Sequence, residues 1–278
     1  MSEPVVQKIF CIIDPTTTRQ RALARAAAVA SATGASLHAY CCFSIGGDRP
    51  SSERAQFEEA ELARYRAWME TLVDPLRADG IAVEYEVDCR DDWRGAMAPA
   101  AKRAGADLIV RATVPRTALQ RRMLKTTDWK LLREAPCPVL LVKSDSAEGL
   151  RRVLAAVNIN DKDDAHRRLT DSVIEYARAV AELAGAELHG VNAFQGSGNF
   201  VHPPDLAKRL GVERQQAHVG DAEPEELVAQ VAEKLEASLV VVGSLARKGL
   251  SGAVVGNTAE RILDGVPADL LCIVQQAG

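Results

Sequence analysis

Aromatic side chains are scarce in this sequence: five Phe, four Tyr and three Trp make up 4% of 278 residues. The apolar fraction still reaches 47%, so the core must be assembled from Ala, Val, Leu and Ile. That is the composition of parallel sheets covered by helices. No apolar run approaches the ~20 residues needed to span a bilayer, and no membrane insertion is expected. Charge of neither sign dominates. The 34 basic and 38 acidic side chains leave a net charge of −4, too balanced for the field that draws nucleic acid. Cysteine is sparse as well, with six residues, no C-x-x-C spacing and no regular disulfide framework. Cys11, Cys41, Cys42, Cys89, Cys137 and Cys272 mostly lie in or beside strand-like runs and read as small apolar filler. A metal held by Cys41 or Cys42 with His38 is the lesser alternative, since residues four apart in a strand share a face. The start, "MSEPVVQKIFCIID", lacks the charged segment, apolar stretch and cleavage site of a signal peptide, so a cytoplasmic protein is expected.

The chain is written twice. "GASLHAYCCF" (34–43) matches "GAELHGVNAF" (185–194), and residues 113–143 align without a gap on 244–274. In that alignment Arg116 falls on Arg247, Thr127 on Thr258, Leu132 on Leu263 and Pro136 on Pro267. The expected domains are residues 1–145 and 150–278, joined near "KSDSAEGL" (143–150). Each half alternates strand and helix. In the second, "RVLAAVN", "AELHGVNAF", "QQAHVGD", "SLVVVGS" and "DLLCIV" read as strands. A helix is predicted over 164–184 with Leu169, Val173, Ala177, Val180 and Ala184 on one stripe, and another over 224–237 opening on Pro224. The first half carries a long charged helix, 51–80, where the second has a shorter loop, "QGSGNFVHPPDLAKRLG". This order gives an α/β fold of two tandem domains, each an open, mostly parallel sheet with helices on both faces. Ligands of such sheets bind at the carboxyl ends of the strands.

One stretch opens onto that edge: "VVGSLARKGLSGAVVGNTAE" (241–260). It is neither a Walker A loop nor G-x-G-x-x-G. Gly243 at a strand end lets the backbone turn sharply and a ligand come close. Gly256 precedes a helix start, where free N–H groups suit an anion, and Arg247 and Lys248 stand between as charge partners. A bland reading competes. Asn257 with Glu260 three positions on makes a capping-box-like start, so Asn257 caps its own helix and Gly249 and Gly252 permit turns. Spacing alone leaves both readings open.

Other residues carry less. His38 and His189 occupy the same place in the two repeats and read as partly buried structural histidines. His218 and His202 lie near the ligand edge, with no nucleophile beside them. Trp129, on a helix, reads as a plug of a former cleft or as interface packing. The basic run 116–125 reads equally as a solvated face or as a lure for an acidic partner. No acid, base or nucleophile is arranged by local motif. At most a weak ATPase is expected.

The stretches "VVGSLARKGLSGAVVGNTAERILD", "TTDWKLLREAPCPVLLVK" and "HVGDAEPEELV", with the duplication, resemble a tandem universal stress protein of the E subtype over nearly the whole chain. The resemblance implies a five-stranded parallel sheet per domain, an internal pseudo-dimer formed through the fifth strands "PVLLVK" and "DLLCIV", and a role in surviving stress. It leaves open a monomer with internal symmetry or a homodimer. Nucleotide-binding members carry G-x-x-G-x9-G-[ST] after strand four and an Asp ending strand one. Here Gly243 and Gly256 match, but Ala246 replaces the middle glycine, Asn257 the hydroxyl residue and Asn158 the Asp. The first half keeps Asp14 but has Ala112, Pro115 and Lys125 in place of the glycines, so its loop is expected not to bind ATP. The resemblance thus implies a site for ATP or another adenine nucleotide in the second half. Gly243, Ser244, Ala246, Gly256, Asn257 and Thr258 would form the cradle, with Arg247 or Lys248 as charge partners and Asn158 and Val191 bordering base and ribose. The alternative is a scaffold without nucleotide, or a binder of a lipid or metal, acting through protein contacts.

Overall fold

The computed structural model describes residues 6–46, 51–113, 127–144, 149–161, 163–249, 252–254 and 257–276. These fall into two compact units, one of residues 6–112 with 134–137 and the other of the rest. In the first unit, β1 (Lys8–Ile13), β2 (Ser36–Phe43), β3 (Val83–Cys89) and β4 (Leu108–Ala112) run parallel in the order β3-β2-β1-β4. The connecting helices are α1 (Arg21–Thr33), α2 (Ser51–Ala78) and α3 (Trp93–Ala104). Every residue of β1 from Ile9 to Ile13 is buried, which is why that strand reads as a continuous apolar run.

The second unit contains most of α4 (Thr127–Glu134), then β5 (Val139–Val142), β6 (Arg152–Ala156), α5 (Asp164–Ala184), β7 (Glu187–Phe194) and α6 (Pro203–Leu210). It continues through β8 (Ala217–Asp221), α7 (Pro224–Lys234), β9 (Leu239–Gly249), β10 (Gly252–Val254), α8 (Asn257–Gly265) and β11 (Asp269–Gln276). The strand order is β5-β11-β9-β6-β7-β8, parallel except at β5, with β10 folded back antiparallel on β9. The two fifth strands pair as expected, Leu141 opposite Leu270 and Val139 opposite Cys272. Asp269 fastens the exit of β5: its Oδ1 accepts the N–H of Lys143 at 2.8 Å and of Ser144 at 2.9 Å. Lys143 Nζ donates to the carbonyls of Leu263 and Val266 at 2.5 and 2.6 Å, placing a cation at the negative end of α8.

Three expectations change. "QGSGNFVHPPDLAKRLG" is not only loop but holds α6: two prolines preset its first turn, Leu206, Ala207 and Leu210 bury one face, and Gly211 ends it at φ 70°. The buried stripe of α5 is Leu169, Thr170, Val173, Ile174, Ala177 and Ala181; Ala184, in the last turn, is exposed. The fourth strand does not turn at Gly243 but runs on to Gly249 and returns as β10, so Gly249 pairs with Gly252.

Gly243 has a packing reason instead. A Cβ on it would lie 2.6 Å from Cγ of Leu169 on α5. Gly190 of β7 and Gly220 of β8 stand in the same relation to Leu210 of α6 and Leu227 of α7. Each strand gives up a side chain where a helix presses a leucine onto the sheet. Gly243→Ala is expected to cost about 1–3 kcal/mol through overpacking. Urea unfolding of the double variant Gly243→Ala/Leu169→Ala should show coupling, with part of that cost recovered.

Candidate ligand site at the strand ends of the second repeat

Strand registers sort the side chains of this sheet into two faces. Gly243 shares a face with Ala155 and Gly190, the face covered by α5 and α6. Ser244 therefore points to the other face, where α7 packs and α8 packs against α7. It is 2% exposed, and its Oγ has no hydrogen-bond partner among the described residues. A buried hydroxyl left in this state costs about 1–3 kcal/mol relative to one that is bonded. β9 runs on past it to Gly249, so the hydroxyl lies within the strand and is left for another group to satisfy.

Beside it, the β6–α5 turn is tightly tied. Val157 N–H donates to the Val191 carbonyl at 3.0 Å, and Ile159 N–H to Asn192 Oδ1 at 2.8 Å. Asn192 is wholly buried and returns its Nδ2 to the Ala193 carbonyl at 2.8 Å. Asn158 is engaged at both ends. Its Oδ1 accepts the Asn160 N–H at 3.2 Å, and its Nδ2 donates to Asp161 Oδ1 at 2.6 Å. Asp14 of the first repeat makes the same local turn, accepting the Thr16 N–H at 2.9 Å. The second repeat thus brings a carboxyl group to this edge three residues later, on Asp161. Burial pushes that carboxyl above the usual aspartate range, while His166 and the Asn158 amide oppose the shift. Asp163 caps α5 and is held below the usual range by its bonds to the backbone N–H and ring of His166.

The pairing of β6 with β9 sets Ser244 on the strand next to the turn that holds Asn158, and the Val157 N–H ties that turn to the backbone of Val191, whose side chain is buried. Gly243 faces Leu169 rather than this group. The backbone of Ala246, Arg247 and Lys248 belongs to β9, with Arg247 opposite Val254 and Lys248 opposite Ala253. Asn257 and Thr258 open α8 where the capping pattern predicts a helix start. Gly256, Pro115, Lys125 and the basic run 116–125 lie outside the described residues. Sequence reasoning missed Asp161, Asn192 and an aromatic trio. Phe200, 47% exposed, meets Phe194 edge-on at 5.3 Å and His202 at 4.8 Å. Asn160 Nδ2 holds this loop by the carbonyls of Asn199 and Phe200, at 3.1 and 3.4 Å. The motif "GNFVHPP" carried that signal only in part, through His202.

In the first repeat the equivalent of Ser244 is Thr113, whose Oγ1 donates to Asp128 Oδ2 at 2.7 Å; the two residues are 6% and 1% exposed. The cysteines behave as filler: five are buried, and burial pushes the thiols of Cys41, Cys137 and Cys272 up to about 12. His38 stacks on Phe10 at 5.4 Å with its nitrogens toward Glu84 and Glu86, whereas the Cys42 thiol bonds Tyr40. Among the described residues no three His, Cys, Asp or Glu side chains group as a metal site. His189 Nδ1 lies 3.2 Å from His218 Nε2. Burial and His189 lower the pKa of His218. No described helix is long and apolar enough to cross a membrane.

The model of the universal stress protein family matches residues 6–143 and again 155–273. The chain belongs to the universal stress protein family. Its two matches coincide with the two repeats. Universal stress protein E of Escherichia coli (strain K12) is 25% identical over 295 residues, covering 96% of this chain and 93% of that relative. A universal stress protein E homolog of Haemophilus influenzae is also 25% identical, over 96% of this chain and 97% of its own. Among solved structures, a family protein from Pseudomonas aeruginosa UCBPP-PA14 is 30% identical with a TM-score of 0.79, covering 98% of this chain and 94% of that one. A universal stress protein from Archaeoglobus fulgidus DSM 4304 superposes with a TM-score of 0.72 over 96% of both chains at 16% identity, which speaks to fold alone.

The raised carboxyl of Asp161 sets a pH dependence. A folded pKa above the unfolded one means the native state binds the proton more tightly, so this group erodes stability as pH rises through that interval. Asp161→Asn, which keeps an acceptor for Asn158, should raise the thermal midpoint at pH 7. The gain should vanish below the usual aspartate range, as thermal unfolding across pH 3–7 would show.

Proposed function

We propose that this universal stress protein is a cytoplasmic ligand-binding regulator of the stress response whose second repeat binds ATP or a related adenine nucleotide. The observation that carries the reading is the buried Ser244 hydroxyl within β9, without a hydrogen-bond partner among the described residues, on the strand that pairs with β6 ahead of the turn holding Asn158 and Asp161. A phosphate oxygen bonded there would satisfy the hydroxyl. The start of α8 would contribute its free N–H groups to the same anion. Asn158, Asp161 and the Val191 backbone would border ribose and base. Residues 1–145 and 150–278 act as one degenerate and one binding domain, and bound nucleotide would gate contacts with a protein partner. Chemistry on the nucleotide, at most a slow hydrolysis of ATP, is no part of this reading.

A second reading draws support from β9 itself. The span that the family's phosphate loop begins with is a paired strand here, and Gly243 serves Leu169. A scaffold that binds no nucleotide would use the same features. Equilibrium dialysis at millimolar ATP separates the two. The nucleotide reading expects one saturable site per chain, weakened at least tenfold by Gly256→Leu. No saturable binding, or binding indifferent to Gly256→Leu, would leave the scaffold.

A further inference from the structure

The two repeats dispose of one hydroxyl in opposite ways. The gapless alignment of residues 113–143 on 244–274 sets Thr113 on Ser244 and Asp128 on Ala259. Structure supports the equivalence. Thr113 directly follows the fourth strand of its repeat, Ser244 stands within β9, and each lies against the fifth strand, Thr113 donating its N–H to the Val142 carbonyl and Ser244 pairing with Val274. Asp128 and Ala259 each lie in the first turn of the helix that follows, α4 and α8. In the first repeat the hydroxyl meets a carboxyl oxygen at 2.7 Å, the spacing of a hydroxyl bonded to a carboxylate. In the second, the position that would supply this oxygen is a methyl group, 4% exposed, and Ser244 Oγ is left without a partner.

We infer that Asp128 is a built-in ligand of the first repeat, filling with its own carboxyl group the hydroxyl site that the second repeat keeps, at Ser244, for an anionic oxygen of a phosphate compound. The chain then carries one anion site, placed asymmetrically by Asp128 in one repeat and Ala259 in the other. A side chain held by the backbone competes with any free anion at a very high effective concentration, so the first site is closed at all ligand levels. The inference rests on the reading that the strand ends of the second repeat form a ligand edge. It adds which repeat is open and what closes the other. Trp129, one candidate plug by sequence, is not needed for this; its neighbour Asp128 seals the hydroxyl.

Inorganic pyrophosphate is the probe, measured by equilibrium dialysis on the full chain beside ATP. One pyrophosphate per chain is expected; two, or none, would overturn the assignment. Ala259→Asp should seal the second repeat, weakening pyrophosphate at least tenfold while raising the thermal midpoint. The rise should be lost in Ser244→Ala/Ala259→Asp. Should Ala259→Asp fail to unfold cooperatively, single substitutions still decide. Ser244→Ala should weaken pyrophosphate at least tenfold without lowering the midpoint, because its hydroxyl has no internal bond to lose. Thr113→Val should lower the midpoint and leave pyrophosphate affinity unchanged. Affinity indifferent to Ser244→Ala sinks the inference. Pyrophosphate bound without ATP keeps the anion site and removes the nucleotide reading. ATP bound equally by wild type and Ser244→Ala does the reverse.

Discussion

A strand covered by helices on both faces has nowhere to place polar groups except at its ends, and at the carboxyl ends of these sheets each such group must be met from within or from outside. Asn192 is met from within, by the Ile159 N–H and the Ala193 carbonyl. Thr113 is met by Asp128. Ser244 is not met, and its burial makes that a standing cost rather than a neutral fact. The proposed site is the place where such a group is left unfinished among the described residues. The rest of the architecture decides how close a ligand can come.

Close approach is where glycine enters, and the glycines here divide between two tasks. Gly190, Gly220 and Gly243 sit inside strands and accept leucines from α6, α7 and α5, so that helices lie low on the sheet. Low helices keep the strand ends near the helix starts, which is the geometry an anion site needs. Gly34, Gly105 and Gly185 end helices in the left-handed conformation and turn the chain directly into the next strand. A glycine in a loop-like motif is thus no evidence of ligand contact until its neighbours are known.

Much of the fold was legible because duplication and apolar runs constrain it strongly. The span of α5 and the five strands of the second repeat follow from pattern, and the pairing of "PVLLVK" with "DLLCIV" from the family resemblance. The ending of β9 was not legible. Gly243 looks like a strand terminator by residue type, and only the leucine above it reveals the packing role. Likewise α6 hid behind "GNFVHPP", whose two prolines signal a loop and a first helical turn equally well. The site was half legible. Ser244 came from the family pattern, but Asp161 stands three residues past the position where a carboxylate is sought and joins the edge only through the bond from Asn158. The Thr113–Asp128 bond needed coordinates, since nothing local in "TTDWKLL" says that its Asp turns inward.

Duplication makes the contrast between the repeats informative in a way that a single domain could not. In both repeats a hydroxyl residue stands at the same aligned position, Thr113 and Ser244, and a helix follows, from Thr127 in one and Asn257 in the other. The difference in outcome is therefore traceable to the side chain in the first helical turn rather than to fold. A carboxyl group there completes the core of one repeat. A methyl group there leaves the other with a donor to satisfy, and whatever oxygen satisfies it returns the free energy that the unpaired hydroxyl withholds. On the proposed reading a ligand at Ser244 would stabilise the second repeat, since a molecule that binds only the folded state must stabilise it. Through β11, which pairs with β9 on one side and β5 on the other, that stabilisation reaches the last strand of the first repeat.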